Sequence, residues 1–213
     1  DHQEACVDTV LDSLGQLGNT VPASAYSEAV PIILYHLQQS SSFATLVCVQ
    51  RLARDSSNIP AIISDNADWS ESTAGDRKVW KNASTGETRN VPHPTASSLE
   101  SVLARVQGTD TDASTVGAGF DLLSVLCDTP AGLDAVAATN ALDIASEWLQ
   151  YNLDDSSGGQ DASDEQNAAV IAALELVAKL SKIPENAREL EKSGLFELVS
   201  DAALAAAEAG NDA

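Results

Sequence analysis

Three leucines, Leu52, Leu126 and Leu180, each close an apolar helical stripe, and fourteen residues after them stand Asn66, Asn140 and Gly194. Six residues after each leucine come Asn58, Gly132 and Asn186; ten after come Ile62, Val136 and Leu190. Upstream, the same register gives Leu46, Phe120 and Leu174, then Val49, Leu123 and Val177. Leu11, Leu14 and Leu17 supply a fourth, N-terminal copy of the stripe. Self-similarity of this kind marks a chain of supersecondary units, none of which buries its apolar face alone. Each unit is expected to be a long helix, a short helix, a sharp turn on Asn or Gly, and a medium helix. The turn residue is expected to take a positive φ, which Gly permits freely and Asn at small cost.

Element boundaries follow from the same pattern. Apolar faces predict helices over Gln3–Gly18, Val30–Leu37, Phe43–Ala53, Thr111–Cys127, Leu142–Tyr151, Ser163–Leu180 and Leu195–Ala209. Prolines at 22, 60, 130 and 184 suit the first turns of short helices, with Thr129 placed as an N-cap before Pro130. Ser40–Ser42 break the second helix, and another helix begins near Thr95.

Hydrophobic residues make up 44% of the 213 and aromatics only 4%, so the core must be built mostly from Ala, Leu, Val and Ile, which favours closely packed helices. A net charge of −21 disfavours nucleic-acid phosphates and anionic membranes as partners, and favours a protein carrying a basic segment. Cys6, Cys48 and Cys127 lack metal-knuckle spacing and read as free, buried thiols of a reducing compartment, the cytoplasm or the nucleus. No apolar run is long enough to span a bilayer. The chain has no methionine and begins at Asp1, so it is expected to be a piece of a longer polypeptide or a processed product.

The order of elements resembles the armadillo repeat, in which a short first helix, a glycine turn and a second helix lead into a long third helix. The resemblance is closest over Ala168–Leu204, where Ala-Leu-Glu-Leu-Val-Ala-Lys-Leu precedes Pro-Glu-Asn and Lys-Ser-Gly. Ser42–Ala67 and Val116–Leu149 match more loosely, and HEAT-type repeats bury similar stripes. The fold class this implies is all-α: one domain, a right-handed armadillo/HEAT-like solenoid of three to four repeats. In such a solenoid the long helices line a concave binding face. Carried onto this sequence, that face comprises Asp8, Asp12 and Gln16, then Phe43, Val47 and Arg51, then Asp121 and Val125, and finally Glu175 and Lys179. Importin-α-like members carry a Trp and a peptide-clamping Asn four residues apart on these helices. Here the Asn positions hold Gln16, Arg51, Val125 and Lys179, and the Trp positions hold Asp12, Val47, Asp121 and Glu175, so the clamp is missing. Trp148 and Asn152 have the right separation but fall on the medium helix, where Trp148 reads as a packing residue.

The leucine-to-leucine offsets, Leu17 to Leu52, to Leu126 and to Leu180, are 35, 74 and 54 residues, and two insertions account for the excess. Residues 68–94 read as a β-hairpin turning at Ser84-Thr85-Gly86 and carry four of the eleven basic residues, Arg77, Lys78, Lys81 and Arg89. Asp68-Trp69, Trp80-Lys81-Asn82 and Thr85-Gly86-Glu87-Thr88, followed by Pro92 and Pro94, resemble a WW domain. Asn90 stands where the second tryptophan of that family would, which removes much of its proline-binding face. The segment is therefore expected to be a structural hairpin, with Trp69, Trp80, Arg77 and Lys78 as candidate contacts. Asn82-Ala83-Ser84 fits a glycosylation acceptor, a tripeptide common by chance.

Residues 153–163 are expected to form an acidic, mobile loop. Its spacing fails the EF-hand pattern, since Ser156 and Gly158 stand where carboxylates are needed. His2, His36 and His93 pair with no cysteine or carboxylate in a catalytic or metal pattern, and there is no P-loop. Gly117 and Gly119 lie in an apolar helix, where close packing is the simpler explanation. The expectation is a non-enzymatic, cofactor-free protein-interaction module of adaptor, scaffold or co-chaperone type. The alternative is a structural or regulatory domain packing against the rest of a larger polypeptide.

Overall fold

In the computed structural model the described residues are Val10, Ser13, 29–75, 77–155 and 163–201. The Gln3–Gly18 stripe, the helix expected at Pro22, most of the acidic loop and the tail after residue 201 lie outside them. From Ala29 onward the chain is mostly helical, with one small antiparallel sheet. The helices are α1 (Val30–Ser40), α2 (Phe43–Ala53) and α3 (Ile59–Ile62), then, after the sheet, α4 (Ser98–Val106), α5 (Ala113–Leu126), α6 (Pro130–Ala137), α7 (Ala141–Asp155), α8 (Asp164–Leu180) and α9 (Pro184–Ser193). Residues 195–201 are again helical.

Like packs on like. The long helices α2, α5 and α8 form the central contacts of the molecule, with α5 between the other two. The short helices α3 and α6 meet, and so do α1 and α4. Each long helix begins with the same device, a side-chain oxygen that takes up the N–H three residues on: Ser42 from Thr45 (3.3 Å), Asp112 from Thr115 (2.9 Å) and Ser163 from Gln166 (3.2 Å). That bond satisfies a donor which the helix itself leaves without a partner.

The leucine register explains itself at the other end of these helices. Asn58 Nδ2 donates to the Leu52 carbonyl at 3.0 Å, and Asn186 Nδ2 donates to the Leu180 carbonyl at 3.2 Å. One side chain thus ties the end of the long helix to the start of the short one. In the middle unit the equivalent residue is Gly132, whose backbone lies so close that a Cβ there would sit 2.0 Å from the Leu126 oxygen. The Thr129 hydroxyl reaches that oxygen instead, at 3.3 Å. Apart from Leu174, which is half-buried, every apolar member of the register from Leu46 to Leu190 is buried in one core.

Several expectations are corrected. The label all-α does not cover residues 69–89. They form three antiparallel strands, β1 (Trp69–Ala74), β2 (Arg77–Asn82) and β3 (Thr88–Arg89), in the order β1-β2-β3. The expected hairpin at Ser84–Gly86 joins β2 to the two-residue β3, while the longer hairpin turns at Gly75, where φ is +66°. Of the three turn residues only Gly194 takes a positive φ, +74°; Asn66 and Asn140 do not. Asn66 is instead buried, and its Nδ2 donates to Ser64 and Ala96 carbonyls. Between α6 and α7, Thr139 Oγ1 accepts from Ala141 N and donates to the Val136 carbonyl, which turns the chain without left-handed backbone. The left-handed position that the sequence did not signal is Ser41, with φ +41° and its hydroxyl bonded to the Leu37 carbonyl. α7 runs to Asp155, past the expected loop start at 153, because Leu153 packs against the core. α3 stops at Ile62, short of Asn66. α4 starts at Ser98, capped by Ser97. Before it, Gln38 accepts from Thr95 N and donates to the Ala96 carbonyl, which fixes the exit from the sheet onto α1.

Candidate docking face

The side chains of α2, α5 and α8 that do not enter the core meet along one face. Phe43 and Val47 project from the first two turns of α2, where the apolar stripe is wider than the core can cover. Phe43 keeps 50% of its surface exposed, and Val47 is half-buried. Together with Gly117 and Ala118 of α5 and Ala168 and Ala169 of α8 they line a depression of about 370 Å³. Gly117 makes this junction tight, since a Cβ there would lie 3.2 Å from the Ala169 Cα. The glycine expected to serve close packing does so, and Gly119 likewise lies against Val106. Asp121, Asp164 and Glu165 also line this depression, with no lysine or arginine among its described lining residues.

Asp121 and Gln50 are shared with a second depression of about 460 Å³, which Val125, Glu175 and Lys179 also line. Desolvation holds the Asp121 carboxyl above its usual range, the Glu175 carboxylate pushes the same way, and Arg54 and Lys179 oppose both. Lys179 is committed locally, with its Nζ 2.7 Å from Asp128 Oδ1 and donating to the Ser124 carbonyl at 2.9 Å. Arg54 and Asp128 belong to the site although the register did not point to them. They sit just beyond the last turns of α2 and α5, where extrapolation of the helix face ends.

Of the residues expected on this face, Phe43, Val47, Asp121, Val125, Glu175 and Lys179 are brought together. Arg51 lines neither depression and is half-buried near Cys48, its Nη1 enclosed without a hydrogen-bond partner. Asp8, Asp12 and Gln16 lie outside the described residues.

The insertion is organised differently. Trp80 is buried, edge-on to Tyr35 of α1 at 5.8 Å. Trp69 stacks on His93 with ring centroids 3.8 Å apart, and the Arg89 guanidinium lies 5.0 Å above Trp69. Both tryptophans, expected as contacts, are therefore used inside the fold. Arg77 and Lys78 stay exposed, but Lys78 is bonded to Glu71 at 2.8 Å, and Arg89 to Glu87 at 2.7 Å. His93 Nδ1 is 2.9 Å from the Pro94 carbonyl, and burial holds its ring below the usual histidine range.

Trp148 packs edge-on against Phe120 at 5.6 Å, as a packing residue should. It also lines, with Tyr151, Asn152 and Gln166, a third depression of about 510 Å³ beside α7. Cys48 and Cys127 are free and buried, and burial pushes both thiols up to about 11, so neither supplies a thiolate near neutral pH. Among the described residues no cluster of His, Cys, Asp and Glu could hold a metal ion, and no helix is long and apolar enough to cross a membrane. No family model matches the chain, and no curated protein or solved structure matches it.

Proposed function

We propose that this chain is an armadillo/HEAT-like, right-handed solenoid that docks a basic segment of a partner protein on the face of α2, α5 and α8. Like-on-like packing of successive long helices, together with the repeated Asn-to-leucine-carbonyl bond, supports the solenoid. One observation carries the docking role: half-exposed apolar side chains and unbalanced carboxylates share a concave strip on those helices. Solvated apolar surface beside a like-charged rim costs free energy in the free protein and is relieved by a complementary cationic partner. Docking is favoured over catalysis because the described thiols are protonated and His93 is stacked inside the insertion. A cytoplasmic or nuclear setting suits free thiols and a partner rich in lysine and arginine.

The test is a titration of a labelled Lys/Arg-rich peptide pool against the wild type and the double variant Asp121→Asn/Glu175→Lys. Affinity should fall at least about tenfold in the variant, and the salt dependence of binding should weaken, as expected when solvent-accessible rim charges are lost. Equal affinities would remove the role of this face.

A second reading has the end of the stack pack against a neighbouring domain of a larger polypeptide. Ile171 and Phe196, both at least half exposed on the last helices, favour it, whereas Leu198 packs against the core. Val10 of the N-terminal stripe is also exposed, whereas Cys6 and Val7 lie outside the described residues.

A further inference from the structure

We infer that the depression between α2, α5 and α8 is a specificity slot that takes one large aliphatic side chain, held between basic residues of the docked segment. This rests on the docking role proposed above and names what the face selects. The floor is made of small residues, Gly117, Ala118 and Ala169, at a junction where α5 and α8 approach too closely for anything larger. The wall is Phe43, an aromatic ring left half in water on a helix whose other apolar residues are nearly all covered. An apolar floor and wall gain from burying an apolar side chain and gain nothing from a charged one.

The rim fixes what flanks that side chain. Asp121 stands on α5, Asp164 and Glu165 on the first turn of α8, and the slot's described lining has no cation to neutralise them. Arg54 and Lys179, which line the adjoining depression, partly offset Asp121, whereas Asp164 and Glu165 have no lysine or arginine beside them in the slot's described lining. A segment with lysine or arginine on both sides of a leucine, isoleucine or methionine therefore matches the slot. A uniformly basic segment matches only the rim, and an acidic or purely apolar one matches neither.

The experiment uses two fluorescent peptide pools of equal length and equal Lys/Arg content, one with Leu and one with Ser at the centre. They are titrated against the wild type, Phe43→Ala, and Ala168→Phe. Ala168 is exposed, so the larger ring fills the slot without entering the core. The wild type should bind the Leu pool about tenfold or more tightly than the Ser pool, the gain expected from burying one aliphatic side chain. Phe43→Ala should reduce that ratio, and Ala168→Phe should bring it close to one. If both pools bind equally and both weaken in Asp121→Asn/Glu175→Lys, the docking role stands and the slot is refuted. If the preference for Leu survives Ala168→Phe, the slot is elsewhere and the inference fails. If neither pool binds, the docking role and the slot fall together.

Discussion

The helical face and the β insertion use their side chains in opposite ways. The insertion turns its aromatics inward: Trp80 onto Tyr35, and Trp69 between His93 and Arg89. Two of its four cations are bonded to glutamates of its own. The face of α2, α5 and α8 leaves Phe43 and Val47 in contact with water, and its slot carries three carboxylates with no lysine or arginine among its described lining residues. A segment whose rings are covered and half of whose cations are already bonded has less left to offer a partner. The difference supports a structural part for the insertion and the docking role proposed for the helices, although the tryptophans and basic residues make the insertion look the more conspicuous in sequence.

The largest effect expected is on the insertion. Trp80→Ala removes the ring seated on Tyr35 and should cost about 3–5 kcal/mol, as buried aromatic truncations do. Denaturant unfolding reads the loss, and peptide affinity of the folded fraction should stay unchanged. Binding lost in proportion to the insertion's packing would erase the division of labour. Next comes the joint beneath the face. Gly132→Ala forces a methyl onto the Leu126 carbonyl and should cost about 1–3 kcal/mol. Asn58→Gly, which only unties the equivalent carbonyl, should cost about 1 kcal/mol.

Smaller effects distinguish two aspartates of the same helix. Asp112 caps α5 through Thr115, whose backbone and side-chain hydrogen bonds hold its carboxyl below the usual range. Its contribution is present above the ordinary aspartate pKa and is lost as pH falls through its lowered value. Asp112→Ala should thus cost about 0.5–2 kcal/mol at neutral pH and progressively less in acid. Asp121 has the opposite sign, being raised by desolvation and then by Glu175. Whatever stability it lends is complete below the ordinary aspartate pKa and is lost as pH rises through its raised value. Asp121→Asn should stabilise the free protein slightly at neutral pH, by less than about 1 kcal/mol, with the gain vanishing in acid. Thermal melts across pH read both signs, and an Asp121→Asn protein that melts lower at neutral pH would contradict the account of a desolvated carboxylate repelled by Glu175.

The framework was legible in sequence because burial imposes a period. Leu46, Val49, Leu52 and their counterparts had to recur wherever a helix faced the same core, and the helix ends were marked by Ser42, Thr129, Ser163 and Gly194. Turn chemistry was less so. The positive φ expected at Asn66 and Asn140 is not taken: Asn66 serves through its side-chain amide, and the second turn is made by Thr139. Among the described residues the left-handed residue that is not glycine is Ser41, where the sequence signals a helix break but not a positive φ. Six of the face residues could be found from helix register alone. Arg54, Asp128 and the Asp164–Glu165 rim could not, because they come together only when three helices from distant parts of the chain stack.

The most direct test of the division between face and insertion is an amide NMR titration of the ¹⁵N-labelled chain with the Leu-centred basic peptide pool at physiological salt. Shifts should concentrate on Phe43, Val47, Gly117, Asp121, Ala168 and Glu175, and leave Trp69, Trp80 and the strands unmoved. Shifts gathered on Arg77, Lys78 and the strands, with α2, α5 and α8 silent, would contradict it.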